Sequence, residues 1–353
     1  MRATVAPPSA ALVGAIACGI ALLALLGLAG CGQDAPPVEA CTDDNRTLTV
    51  GFYAFFAPVS YSADEDPTSA GFDTHLGYEA DLVTALEAMD DTGLSFVRRG
   101  IAAWDDIWLQ SAGPDYDLIG GGITILDSRT RDAAGRPVVV FTSGHIAFRQ
   151  SLLVRAADAE RLAGYDDLRR DVRVGALAGT TGEARLLELT GLADAHGALT
   201  AGTRVETPRG TLVADGSAIY TITAAGASPN LDGRRRLDPP SADLPQVIYL
   251  GDDAGETELL QALRDGRIDA IARGEVGNRD ADRDAGGAFA VTALDAQVEH
   301  GGFTLAAKDA ALASCLDERI AWLTDNRRFG YAEWLDDPTV FMRRAEIWNA
   351  RAQ

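Results

Sequence analysis

Residues 115–143 hold the densest set of groups able to bind an anion. A short apolar strand, Leu118-Ile119, runs into Gly120-Gly121-Gly122 and then Ile123-Thr124. Without Cβ atoms the backbone there can approach a ligand closely and leave its N–H groups uncovered. Thr124 adds a hydroxyl, and Arg129 and Arg131 follow in one short loop with forked donors suited to a carboxylate. Two readings stand on this stretch alone: a carboxylate site built on a strand end, or a glycine-rich turn with solvated arginines.

The N-terminus bears on where such a site would work. Arg2 supplies a positive charge, residues 10–28 are almost wholly apolar, and Leu28-Ala29-Gly30-Cys31 closes the run. A charged start, an apolar middle and small residues before a cleavage point describe a secretory signal peptide. A cut before cysteine makes it a lipoprotein signal, with Cys31 taking the lipid and residues 31–46 acting as a tether. The alternative is a membrane-spanning anchor, since the run is near the lower length limit for a span. Either way the expected location is the cell envelope, extracytoplasmic and membrane-anchored. Of the four cysteines, Cys18 is lost with the signal and Cys31 is acylated, which leaves Cys41 and Cys315 in an oxidising compartment. A disulfide or two unrelated buried thiols are the choices. The net charge of −21 argues against nucleic acid as a partner. The roughly 320 residues from Cys31 onward suffice for two domains.

Strands and helices alternate along the chain. Residues 47–52 read as a first strand and 55–61 as a loop rich in exposed rings. A helix over 78–89 turns Leu82, Val83, Leu86 and Met89 to one side, with Glu79 and Asp81 in its first turn, where the dipole favours them. A strand over 94–97 and a short helix over 104–110 bearing Trp104 and Trp108 precede the glycine strand. Residues 146–154 and 172–177 are strands, and Gly179-Thr180-Thr181-Gly182-Glu183 opens a helix. That turn presents amides and hydroxyls to a ligand or makes an ordinary cap through Thr181. Residues 204–223 suggest β-hairpins, 230–245 a loop, 247–250 a strand, 256–264 an amphipathic helix and 268–275 a strand. Helices over 311–323 and 338–348 finish the chain. The alternation indicates an α/β protein with a parallel sheet.

Six segments, in order, resemble the extracytoplasmic solute-binding proteins of ABC importers, polar-amino-acid type (family 3). They are Val50-Gly51 with Ala57-Pro58, residues 77–82, Trp104 with Tyr116-Asp117-Leu118, Gly122-Ile123-Thr124 through Ser143, residues 179–183, and Gly266-Arg267-Ile268-Asp269-Ala270. The resemblance implies a two-lobed α/β fold of the periplasmic-binding-protein kind (type II-like), with parallel-dominated sheets and a hinge of two crossing strands. Lobe 1 would be 47–144 with 301–353, and lobe 2 would be 145–300 with an insertion at about 195–245. It implies cleft closure on a small carboxylate-bearing solute, most simply an amino acid, delivery to ABC permease subunits, and no cofactor. Phe56 and Trp104 would sandwich the solute. Gly120, Gly122, Thr124 and an arginine would hold its carboxylate from one lobe, and Thr181 from the other. Tyr53 stands near the place where binders of basic amino acids carry an acid. The likeness also places Cys41 and Cys315 in one lobe.

Three departures qualify the match. The carboxylate-binding arginine is expected three residues after the threonine, whereas Arg129 is five after Thr124, with Arg131 and Arg136 as rivals. Gly274 stands where an aspartate for the ammonium is usual, so Glu275 would have to turn inward, through a bulge at Gly274. The 195–245 insertion exceeds the usual connection and has no assigned role. Two other functions fit the resemblance: a sensor subunit presenting ligand to a membrane kinase, and a cyclohexadienyl dehydratase-like enzyme with Glu275 or Glu79 as general acid.

Overall fold

The structure, a computed structural model, describes residues 40–42, 46–90, 92–251 and 255–351. The leader, Cys31 and most of the tether lie outside the described residues. Among the described residues, no helix is long and apolar enough to cross a membrane.

Two sheets organise the chain. In the first, Thr47–Tyr53 lies between Ser95–Ile101 and Leu118–Gly120, parallel to both. Its residues from Val50 onward are nearly all buried, as a strand with neighbours on both edges and helices on its face requires. Thr304–Ala306 and then Val139–Phe141 extend this sheet antiparallel. The helix Tyr78–Glu87 turns Leu82, Val83 and Leu86 into a core shared with Ala310–Leu323 and Val340–Arg351. Cys41 and Cys315 are joined in a disulfide with Cα atoms 5.5 Å apart, fastening the segment before the first strand to the helix Ala310–Leu323.

The second sheet has eight strands, in the order Gly210–Val213, Arg204–Thr207, Arg236–Asp238, Gln246–Ile248, Arg173–Gly175, Ala270–Gly274, Gln150–Arg155 and Phe289–Thr292. The two pairings made by Arg173–Gly175 are parallel and all others antiparallel, so the sheets are mixed rather than parallel-dominated. The insertion is one source: its hairpin and the strand Arg236–Asp238, expected as loop, add antiparallel pairs to one edge. The other is the strands that follow the hinge, Gln150–Arg155 in this sheet and Thr304–Ala306 in the first, which enter antiparallel to their neighbours. The expected strand over 146–154 is interrupted at Arg149. Its first part, Ile146–Phe148, pairs instead with Glu299–Gly301 in a separate two-stranded ribbon. This ribbon is the crossing hinge, and the α/β fold is two-lobed as expected.

A small sheet of Phe55–Phe56, Ser60–Ser62 and His75–Leu76 carries the loop of rings. His75 is buried there, stacked on Phe52 with ring centroids 4.0 Å apart, its Nε2 2.9 Å from the Ser60 hydroxyl. Burial, reinforced by Arg98, pushes its imidazole down to about 3. In the unfolded chain the same ring titrates near 6.5. Between these values the unfolded state binds a proton that the folded state refuses. Stability is therefore complete above about pH 6.5 and falls as pH drops toward 3. By pH 5 this group alone should remove about 2 kcal/mol. The expected result is that the stability gap between wild type and His75→Phe, from urea unfolding, narrows by about that amount between pH 7.5 and pH 5. A gap that does not change with pH would refute it.

Candidate functional site

The glycine run lies at the end of Leu118–Gly120, as the sequence indicated, but its amides are not bare. Gly121 and Gly122 donate to the Glu79 carboxylate at 2.6 and 2.9 Å. Glu79 is fully buried in the first turn of its helix and also meets His145 Nε2 at 3.0 Å. His145 is packed on Phe303, and Tyr78 donates its hydroxyl to the His145 carbonyl. The expectation that Gly120 and Gly122 hold a ligand carboxylate through their amides is corrected. Gly122 is engaged internally, and Gly120 sits inside the strand against Glu79 and Phe303. The run stays glycine for steric reasons. Gly122 has φ +66°, and a Cβ there would meet the Phe56 ring at 2.5 Å.

The second lobe repeats the device. Thr180 caps the helix Thr181–Thr190 by accepting from the Glu183 amide. Glu183 is fully buried and accepts from the Gly179 amide at 2.7 Å. Its other oxygen takes Arg234 and the Tyr249 hydroxyl.

Between the lobes lies a cavity of about 70 Å³. Tyr53, Phe56, Trp104, Gly122 and Thr124 line it from one side, and Gln150, Thr180, Thr181, Gly182 and Arg273 from the other. Six of the residues singled out from sequence thus meet in one place: Tyr53, Phe56, Trp104, Gly122, Thr124 and Thr181. Tyr53 and Trp104 pack edge to face with centroids 5.0 Å apart. Burial, with Glu256 adding to it, pushes the Tyr53 hydroxyl up, so it remains a donor. Thr124 Oγ1 lies 3.4 Å from Thr181 Oγ1 across the cleft. A larger hollow of about 770 Å³ lies behind this threonine pair. Much of its charged lining is already satisfied: Arg185 by Asp295 and Glu188, Glu299 by Thr124, and Asp317 by the Ser143 amide.

Arg129 lines neither hollow. Its guanidinium is 1% exposed and lies 4.3 Å from the Trp108 ring centroid. It donates to the Ala224 carbonyl through Nε at 3.0 Å and Nη2 at 2.8 Å, to Gly179 at 3.1 Å and to Thr124 at 3.3 Å. Burial pushes its pKa down to about 9, against the pull of Glu299. The forked donors expected to meet a ligand carboxylate are spent on backbone carbonyls, those of Ala224 and Gly179 in the opposite lobe and that of Thr124 in its own. Arg131 and Arg136, the rivals, are surface residues paired with Asp127 and Asp132, so the solvated reading holds for them. Glu275 is also corrected. The strand ends at Gly274, and Glu275 is the first residue of the helix Glu275–Asp284, its carboxylate 3.3 Å from Arg279. A carboxylate there satisfies the helix dipole rather than the cleft.

Sequence reasoning missed Gln150, Phe148, Arg273 and Glu256 in the cleft lining. Arg273 pairs with Glu256 and donates to Asn278 at 2.7 Å. One signal was present: a polar pair, Gln150-Ser151, opening a strand whose centre, Leu152-Leu153-Val154, is apolar, where a side chain facing protein needs a polar reason.

No family model matches the chain. It is 27% identical over 177 residues to a probable histidine-binding protein of Neisseria gonorrhoeae. That match covers 50% of this chain and 58% of the relative, little more than half its length. Among solved structures, a Streptococcus pneumoniae ABC uptake transporter substrate-binding protein with bound histidine shares the fold at 16% identity, covering 87% of this chain and 93% of that one, TM-score 0.52. An amino acid ABC transporter substrate-binding protein from the same species, bound to L-arginine, does so at 14% identity over 87% and 96%, TM-score 0.53. An ancestral amino-acid-binding protein, a precursor of cyclohexadienyl dehydratase, matches at 18% over 86% and 95%, TM-score 0.51. The two-lobed fold is the one these amino-acid-binding proteins share.

The geometry makes Arg129 a tie between lobes. Removing the guanidinium leaves the Ala224 carbonyl without its donors, at about 1–3 kcal/mol, while Gly179 keeps the Trp104 indole N–H; water satisfies the freed carbonyl once the lobes part. Ligand-free Arg129→Met should therefore be more open, with a larger radius of gyration by small-angle X-ray scattering than wild type. Identical scattering curves would show that the tie does not hold the lobes.

Proposed function

We propose that this protein is an extracytoplasmic substrate-binding lipoprotein that captures an amino acid between its lobes and delivers it to an ABC importer. The observation that carries this reading is the cleft itself. Rings from one lobe face the start of the ten-residue helix Thr181–Thr190 from the other, across a hinge ribbon of two crossing strands. A rigid aromatic slot with a few polar anchors is what a small-molecule cleft needs, and a helix start favours a carboxylate. The cavity as closed here has room for about two water molecules, so a solute the size of an amino acid enters when the hinge opens.

Binding without chemistry is supported by the fate of the two carboxylates that could have served as general acid. Glu79 is engaged by glycine amides and His145, and Glu275 by Arg279. The carboxylate role assigned from sequence to Arg129 passes, in this reading, to the first turn of the helix at Thr181 and Gly182, which lines the cavity. The lipid anchor on Cys31 is supported by Leu28-Ala29-Gly30-Cys31 behind the apolar run.

A thermal-shift screen of the common L-amino acids and small carboxylates tests the reading. A ligand at about 100 times its Kd adds roughly 2.7 kcal/mol and raises the midpoint visibly. No shift with any amino acid at millimolar concentration would overturn it. For the anchor, Cys31→Ser should release the protein from the membrane fraction and remove the mass of the lipid. An unchanged mass and distribution would refute lipidation.

A further inference from the structure

One buried polar atom in the cleft has no partner. Gln150 is 2% exposed and lines the cavity, and no described residue donates to its Oε1. Its Nε2 is 2.9 Å from Thr181 Oγ1. Thr181 Oγ1 lies 3.4 Å from Thr124 Oγ1, which lies 2.9 Å from Glu299 Oε2 in the hinge ribbon.

The direction of this chain is fixed at one end. Thr124 donates its single hydroxyl proton to the Glu299 carboxylate oxygen. With the Thr124 proton so used, the Thr181 hydroxyl is the donor available across the 3.4 Å contact, and Thr181 accepts from the Gln150 amide nitrogen. A glutamine whose nitrogen is so held presents its oxygen on the other side. Glu299, across two lobes, thereby sets which end of Gln150 faces the cleft: an acceptor, buried, beside a helix start that favours an anion.

We propose that Gln150 is a specificity-determining residue, its carbonyl oxygen receiving an N–H of the bound solute, with Glu299 as the positioning residue that holds it in that orientation. The assignment rests on the proposed binding function. It restricts the ligand to carboxylates that carry an amine beside the carboxylate and rejects amine-free acids, because leaving a buried acceptor unpaired is unfavourable.

The test is calorimetry of the full chain with a panel of L-amino acids and the 2-oxo acids of the same side chains. Wild type should prefer an amino acid over its 2-oxo partner by about a hundredfold or more. Gln150→Met, which keeps the volume and removes the acceptor, should weaken the amino acid by about tenfold or more and bind the 2-oxo acid more tightly than wild type does, since no buried acceptor is then left unpaired. Glu299→Gln is the second arm. A neutral amide can donate to Thr124, so the chain can run the other way and turn the Gln150 nitrogen to the cleft. That variant should bind the 2-oxo acid more tightly relative to the amino acid, at an unchanged melting temperature. Equal binding of both ligand sets by wild type overturns the assignment, as does wild-type affinity for amino acids in Gln150→Met. If neither set binds wild type, the function it rests on falls with it.

Discussion

A guanidinium held out of water between two lobes is the interaction on which the contact between them depends. Taking a charge out of water costs several kcal/mol even after relaxation. Arg129 offsets this with charge-assisted hydrogen bonds to three carbonyls, worth about 1.5–3 kcal/mol each, and with the face of Trp108. Its pKa of about 9 still leaves it charged at neutral pH. Most of the compensation comes from Gly179 and Ala224 of the opposite lobe, so burying Arg129 requires the lobes to be in contact. Trp104 adds to the same point, since its indole N–H also donates to the Gly179 carbonyl, at 3.1 Å.

For that to work, the loops carrying these carbonyls must be held rigidly, and a buried glutamate does this in each lobe. Glu79 fastens the Gly121 and Gly122 amides, and Glu183 fastens the Gly179 amide. Each carboxylate is itself satisfied from behind, Glu79 by His145 and Glu183 by Arg234 and Tyr249. Glycine gives these loops conformations that other residues resist, with φ values of +135° at Gly121 and +71° at Gly179. The same freedom would make them mobile in isolation. The internal carboxylates remove that freedom and use the amide donors that a strand end or a turn would otherwise offer to an anion.

The sequence made the element order, the hinge, the Cys41–Cys315 pair and the assembly of rings and threonines in one cleft legible, because each depends on local pattern or on the order of segments. It did not make legible where hydrogen bonds go. Bare glycine amides and amides capped by a carboxylate 42 residues away look alike in sequence, since Glu79 in a first helical turn is explained as well by the dipole as by Gly121. Glu275 was misplaced for a related reason. Alternation along a strand says where its side chain points only if the strand continues, and the chain turns helical at that residue. Arg129 had the right neighbourhood and the wrong partner, because the carbonyl it meets belongs to a segment 95 residues on that carried no motif.

That segment gives the insertion its structural sense. Its turn between Ile222–Thr223 and Gly226–Ala227 places the Ala224 carbonyl on Arg129 and Ala225 against the ring cluster of the other lobe. At its base Arg234 is bound to Glu183, the residue that also fixes Gly179. One carboxylate thus links the two acceptors that the opposite lobe offers the guanidinium, Gly179 through its own helix and Ala224 through the inserted strands. Without the insertion, Arg129 would keep Gly179 and Thr124 and lose the carbonyl that takes two of its N–H groups. The added hairpin is therefore part of the closing surface of the lobe rather than an ornament on its edge.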